Sequence, residues 1–160
     1  LALLAARYAW GHGPVDAADL ARWAGLTLTE ARRAMEGAVE AGDGWGHPLV
    51  RRSALVARAD IDDLVRDNRD AAAGVFALPS FDELHVGYRD RSCLTDEAGE
   101  RLICPAANGM FRPIVVARGR VIAVRAPGGD LLFTVGGDEC ARDARRVMAS
   151  WENWLSEKQR

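Results

Sequence analysis

The densest grouping of side chains able to do chemistry lies between residues 78 and 113. Asp82, Glu83, Arg89, Asp90, Arg91 and Arg112 set both signs of charge beside the rings of Phe81, Tyr88 and Phe111. Arginine presents a planar fork of donors that suits phosphate oxygens, and a carboxylate can steer a water towards an electrophilic carbon. The same residues can instead close on one another as ion pairs, because a carboxylate beside an arginine usually neutralises it locally. The second arrangement is favoured, with Asp82, Arg89 and Arg91 expected in one network. Arg32 and Arg33, and then Arg51 and Arg52, are two further basic pairs able to meet a phosphate backbone. Asn108-Gly109 is a dipeptide that tight hairpin turns select for backbone reasons alone.

Several chemistries are disfavoured. Cys93, Cys104 and Cys140 are odd in number and widely spaced, and His12, His47 and His85 are equally scattered. Neither set has the spacing of a zinc or redox motif, so free thiols in a reducing cytoplasm, no metal and no cofactor are expected. The formal net charge is -2, so contact with nucleic acid needs a local basic patch on a slightly acidic background. No apolar run approaches the roughly 18 residues that a membrane span requires, so no membrane partner is expected. Leu1 to Trp10 has neither an initiator methionine nor a basic leader, and it reads as a cut inside a longer chain.

The elements that must position these residues fall into two groups. In the first, Leu4 and Tyr8 share a helical face until Gly11-His12-Gly13-Pro14 stops the helix. Asp16 can cap a second helix carrying Leu20 and Trp23, ended by Gly25. Thr27 and Glu30 stand in capping-box spacing ahead of a third, with Leu28, Ala31, Ala34 or Met35, and Ala38 facing inward. A strand-like pair around 47–56 follows, placing Arg51 and Arg52 at its turn, so the order matches a winged helix-turn-helix. A short helix over 60–69 should turn Ile61, Leu64 and Val65 inward.

The second group begins near Ala71. Ser80 to Glu83 again has capping-box spacing, with Phe81, Leu84 and Tyr88 on one helical face. Strand-like runs at 75–78, 102–104, 111–117, 121–125 and 131–135 are separated by turn residues, and a final helix carries Ala144, Met148, Trp151 and Leu155. The fold class expected is α+β. A winged helix-turn-helix domain over 1–70 precedes a β-rich domain over 71–160, an antiparallel sheet or small barrel covered by a C-terminal helix.

Leu78-Pro-Ser-Phe-Asp-Glu, then Gly87-Tyr-Arg-Asp-Arg-Ser92, then Asn108-Gly-Met-Phe-Arg-Pro113 form an ordered set of short motifs. This set resembles the bacterial winged-helix family of AlkZ and YcaQ-type DNA glycosylases, and Asp19 to Leu26 resembles that family's helix-turn-helix segment. The resemblance implies tandem winged helices and a β-rich region around duplex DNA, intact or damaged. It also implies that Asp82, Glu83, Tyr88, Asp90, Asn108 and Gly109 are motif positions. The family's catalytic signature is a pair of glutamines flanking one apolar residue. The chain's one glutamine is Gln159, so no catalytic residue carries over.

The expectation is therefore a C-terminal DNA-binding segment of a glycosylase-like repair protein, whose N-terminal half would bear the glutamines. Its contacts to DNA would run through Arg32, Arg33, Arg51, Arg52, Arg89, Arg91 and Arg112. A winged-helix protein-interaction or regulatory module is the alternative, because helix three also carries Glu30, Glu36 and Glu40. On the first expectation, the chain incubated alone with a methylated or crosslinked duplex leaves abasic sites at the level of the protein-free control. Release well above that level would implicate Asp82 or Glu83 as a base.

Overall fold

The computed structural model describes residues 1–158. It divides into two compact units, one made of residues 1–67 with 86–90, the other of 68–85 with the chain from 91 onward. Gln159, the lone glutamine, lies outside the described residues.

Three helices open the first unit: α1 (Ala2–His12), α2 (Ala17–Ala24) and α3 (Leu28–Ala41). Their starts follow from local hydrogen bonding. Asp16 accepts from the amides of Ala18 and Asp19, while Asp19 returns the favour to the Asp16 amide, and Gly25 ends α2 at φ 66°. Thr27 and Glu30 make the same reciprocal box at α3. Hydrogen bonds from Thr27 hold the Glu30 carboxyl below the usual carboxylate range.

The helices pack through small residues. Ala5 and Ala9 on α1 and Ala31, Ala34 and Ala38 on α3 are buried together with Tyr8 and Leu20. A Cβ at Gly37 would come within 3.1 Å of the Ala2 methyl, so α1 and α3 pack closely at that point. Strands β1 (Leu49–Arg52) and β2 (Leu55–Arg58) then form an antiparallel hairpin, with Arg52 opposite Leu55 and Ser53 at φ 57° in the turn. Val15 exchanges backbone hydrogen bonds with Val56, which ties the hairpin to the α1–α2 connection.

Helix α4 (Ile61–Ala72) departs from expectation, because it has no buried residue and Val65 is 55% exposed. Ile61 and Leu64 are half-buried, and the exposed ion pairs of Arg66 with Asp63 and Asp67 and of Arg52 with Asp62 add little.

In the second unit, β3 (Val75–Leu78), β4 (Ile114–Ala117), β5 (Arg120–Arg125) and β6 (Leu131–Phe133) form one open antiparallel sheet in sequence order, not a closed barrel. The β4–β5 turn places Arg118 and Gly119 at φ 51° and 74°, the left-handed pair that a two-residue hairpin needs. Val116 faces Val121 while Val115 faces Ala123, so Ile122 is an extra residue and the strand bulges. Because of that bulge, Ile122 and Ala123 both lie on the face packed by α7 (Ala141–Lys158), against Ala144 and Met148. The other face, Ile114, Val116, Val121 and Val124, is covered by Ile103 and Leu94. A Cβ at Gly137 would collide with the carbonyl of Ile122, so only glycine lets the turn before α7 lie so close to β5.

Three local expectations are corrected here. Leu102 to Cys104 is not a strand: Leu102 and Ile103 end helix α6 (Glu97–Ile103), whose cap is Asp96 accepting from the Gly99 amide at 2.7 Å. A short apolar run is ambiguous between helix and strand, and the cap decides it. Asn108-Gly109 joins no paired strands but sits in the α6–β4 loop, where Asn108 Oδ1 accepts from the Met110 amide. Helix α5 (Glu83–Val86) is a single turn begun by Asp82, so Phe81, at φ 64°, lies outside it and Tyr88 lies beyond its end.

Leu20 is fully buried, and Leu20→Ala should destabilise the first unit by roughly 2–5 kcal/mol in urea unfolding. Val65→Ala should stay within about 0.5 kcal/mol, as exposed positions do. Equal costs at the two sites would contradict the packing described.

Candidate nucleic-acid interface

The first unit contains a cleft of about 520 Å³ bounded by α2, α3, the β1–β2 hairpin and the segment 86–90. Buried Met35 and Val56 with half-exposed Leu28 supply its apolar lining. Arg32 from α3, Arg51 from the hairpin and Arg89 from the segment 86–90 supply three guanidinium groups, all exposed. Asp16 and Glu36 also line it. Among the described residues, no carboxylate is in ion-pair contact with Arg32, Arg51 or Arg89. The Asp16 carboxylate is already accepting from two backbone amides at 2.7 and 2.8 Å. Such a surface can take an anion on its arginines while Asp16 stays hydrogen-bonded within the protein, with Glu36 the exposed charge that opposes it.

Residues 86–90 reach the cleft as a strap laid against α1 and α2. The buried Tyr8 hydroxyl donates to the Gly87 carbonyl at 2.6 Å, and the Tyr88 hydroxyl donates to the His12 carbonyl at 2.9 Å. Rings reinforce these bonds, since His12 stacks on Tyr8 with centroids 4.6 Å apart and meets Tyr88 edge-on. The Arg89 amide donates to Asp19 Oδ1 at 2.8 Å. The motif position Tyr88 is therefore an anchor, and Asp90 is the exposed residue that follows Arg89.

The remaining candidates are placed differently. Arg33 is exposed on α3 but does not line the cleft. Arg52, the hairpin neighbour of Arg51, donates to Asp62 at 2.5 Å. Arg112 donates from Nη1 to the Leu102 carbonyl at 3.3 Å, and Glu83 is exposed at the start of α5.

The single network expected of Asp82, Arg89 and Arg91 does not form. Asp82 is occupied at the start of α5, accepting from the Leu84 amide at 3.0 Å, and Arg89 belongs to the other unit. Arg91 turns to Glu100, its Nε 3.5 Å from Oε1, and the same oxygen receives His85 Nε2 at 3.0 Å. The physical reason is that α5 ends at Val86, so positions 82, 89 and 91 never share a helical face. His85, only 2% exposed, meets Phe111 edge-on, which makes His85–Glu100–Arg91 a half-buried support beneath the loop that carries Phe111.

Sequence reasoning did not single out Asp19, His85 or Glu100. For Asp19 a signal existed: Asp16-Ala-Ala-Asp19 is a capping-box spacing. His85 and Glu100 had none, being 15 residues apart on separate helices.

A family model described as DNA glycosylase AlkZ-like matches residues 1–149. Among solved structures, the Streptomyces sahachiroi DNA glycosylase AlkZ is similar at 20% identity with a TM-score of 0.56. The alignment covers 92% of this chain and 44% of that one, so the chain spans less than half of that relative's length. At this identity the likeness is one of fold. No curated protein matches by sequence.

Glu100→Ala removes the shared acceptor of His85 and Arg91 and should cost roughly 1.5–3 kcal/mol in urea unfolding, while Asp82→Ala, which loses only a capping bond, should cost about 1 kcal/mol. The reverse order would restore the network centred on Asp82.

Proposed function

The chain belongs to the AlkZ-like DNA glycosylase family, and from that premise we propose that it is a duplex-DNA-gripping segment of a glycosylase-like repair protein. Helices α1 to α3 and the β1–β2 hairpin act as a winged helix-turn-helix, with α3 as the second helix of the motif and the hairpin as the wing. The grip runs through phosphates, not bases. The observation that carries this is the convergence of Arg32, Arg51 and Arg89, from three separate elements, on one cleft without a carboxylate ion pair. Arginine forks so placed suit successive phosphate oxygens, which fix register on a duplex but carry no sequence information.

Glu30, Glu36 and Glu40 lie exposed along the same α3. They oppose deep seating of that helix in a major groove, which suits a backbone clamp better than a base reader. The same acidic row favours the second reading, a module that meets a basic protein partner. Base excision belongs, in this proposal, to a glutamine pair outside this sequence.

Binding of the chain to two unrelated duplexes, followed by fluorescence anisotropy across a salt series, tests the clamp. Three neutralised phosphates give a log–log slope of about -2.7, equal for both duplexes, and Arg32→Ala or Arg51→Ala each removes about 0.9 of it. Arg52→Ala should change the slope little, because Asp62 already holds that guanidinium. A strong preference for one duplex, or an affinity indifferent to salt, would overturn the clamp. Failure to bind either duplex at low salt would favour the protein-interaction reading.

A further inference from the structure

We propose that Asp19 is a positioning residue that delivers Arg89 to the phosphate-binding cleft, so that this carboxylate strengthens the binding of an anion. The inference rests on the phosphate-clamp reading and assigns a role that charge alone would forbid.

Arg89 is the cleft arginine that comes from neither α3 nor the hairpin. Its strap, residues 86–90, is joined to the first unit through side chains: Tyr8 to the Gly87 carbonyl, Tyr88 to the His12 carbonyl, and Asp19 to the Arg89 amide. A fourth bond, from Arg22 to the Val86 carbonyl, is long at 3.4 Å and exposed. Of these, only the Asp19 bond acts on Arg89 itself. With its amide held 2.8 Å from Oδ1, the Arg89 backbone is restrained at its nitrogen, and fewer torsions remain to be ordered when a phosphate arrives.

The carboxylate itself is held on its other side. Asp19 Oδ2 accepts from the Asp16 amide at 3.0 Å, which directs Oδ1 towards the strap. An asparagine at position 19 keeps one acceptor oxygen and puts an NH2 donor group where the other carboxylate oxygen was. It can satisfy the Asp16 amide or the Arg89 amide, and whichever it loses then faces an N–H group. The two acids of this box therefore differ in kind: Asp16 lines the cleft and caps α2, whereas Asp19 caps α2 and also holds Arg89.

This difference gives a matched pair of variants. Asp16→Asn and Asp19→Asn each remove one negative charge near the arginines. Through electrostatics alone both should tighten binding to a polyanion. The positioning role predicts opposite signs, with Asp16→Asn tighter than the parent and Asp19→Asn weaker by about fivefold, the worth of one ordinary hydrogen-bonded contact.

The experiment measures the affinity of a short fluorescein-labelled duplex of arbitrary sequence across a salt series, using the full chain. It compares the parent, Asp16→Asn, Asp19→Asn, Arg89→Ala and the Asp19→Asn/Arg89→Ala double variant, with thermal melting to confirm that each is folded at the assay temperature. The expected result is that Arg89→Ala and Asp19→Asn both lose about 0.9 of the salt slope, and that the double variant loses no more than Arg89→Ala alone. A merely structural role would lower the melting temperature without this loss of slope and without non-additivity. If Asp19→Asn does not fold, Tyr88→Phe loosens the same strap while keeping the ring and the α2 cap, and it should be non-additive with Arg89→Ala in the same way. Tightening by Asp19→Asn, or additive losses, would overturn the positioning role and leave the clamp standing. No effect of Arg89→Ala, with Arg32→Ala and Arg51→Ala still weakening binding, would remove Arg89 from the clamp and the positioning role with it. No binding by the parent would remove the clamp itself.

Discussion

A buried phenol governs much of the first unit. The hydroxyl of Tyr8 reaches the carbonyl of Gly87, 79 positions away in sequence, and the hydroxyl of Tyr88 returns the contact to the carbonyl of His12. Closing so long a segment costs chain entropy, although that cost grows only slowly with length. Two hydrogen bonds, one of them buried, and the packed rings of Tyr8, His12, Trp23 and Tyr88 offset it. Arg89 follows on this anchored strap, its own amide held by Asp19.

Electrostatics in this chain is a matter of allocation. With 21 basic and 23 acidic residues, no global field favours an anion. What differs is which arginines already hold a carboxylate. Arg52, Arg58, Arg66, Arg91, Arg101, Arg125 and Arg146 do, some through a neighbouring acid and Arg125 through the distant Glu152. The three cleft arginines do not, and Asp16 and Asp19 beside them are turned to backbone amides. A slightly acidic protein can thereby present a small basic surface without being a generally basic one.

The second unit uses a different device. A bulge at Ile122 turns two consecutive residues of β5 towards α7, while the opposite face of the sheet takes Ile103 and Leu94. Above that second face, His85, Glu100 and Arg91 form a compact polar support. Arg91, a candidate phosphate ligand by residue type, is thereby committed to internal structure.

Local hydrogen-bond chemistry was legible in the residues. Asp16, Thr27 and Gly25 marked helix ends, and the apolar run containing Ile114 to Ala117 marked a strand, because caps and short strands depend on neighbours within a few positions. The family motifs were legible too, as residue strings without assigned work. Pairings between distant residues were not. Which acid Arg91 would choose, why tyrosine stands at 88, and that Asp19 would hold Arg89 depend on how the elements meet, and helical spacing carries no record of partners nine to 79 positions away. The short run at Leu102 lay between these cases: its apolarity allowed strand or helix, and the Asp96 cap together with the core position of Ile103 decided for helix.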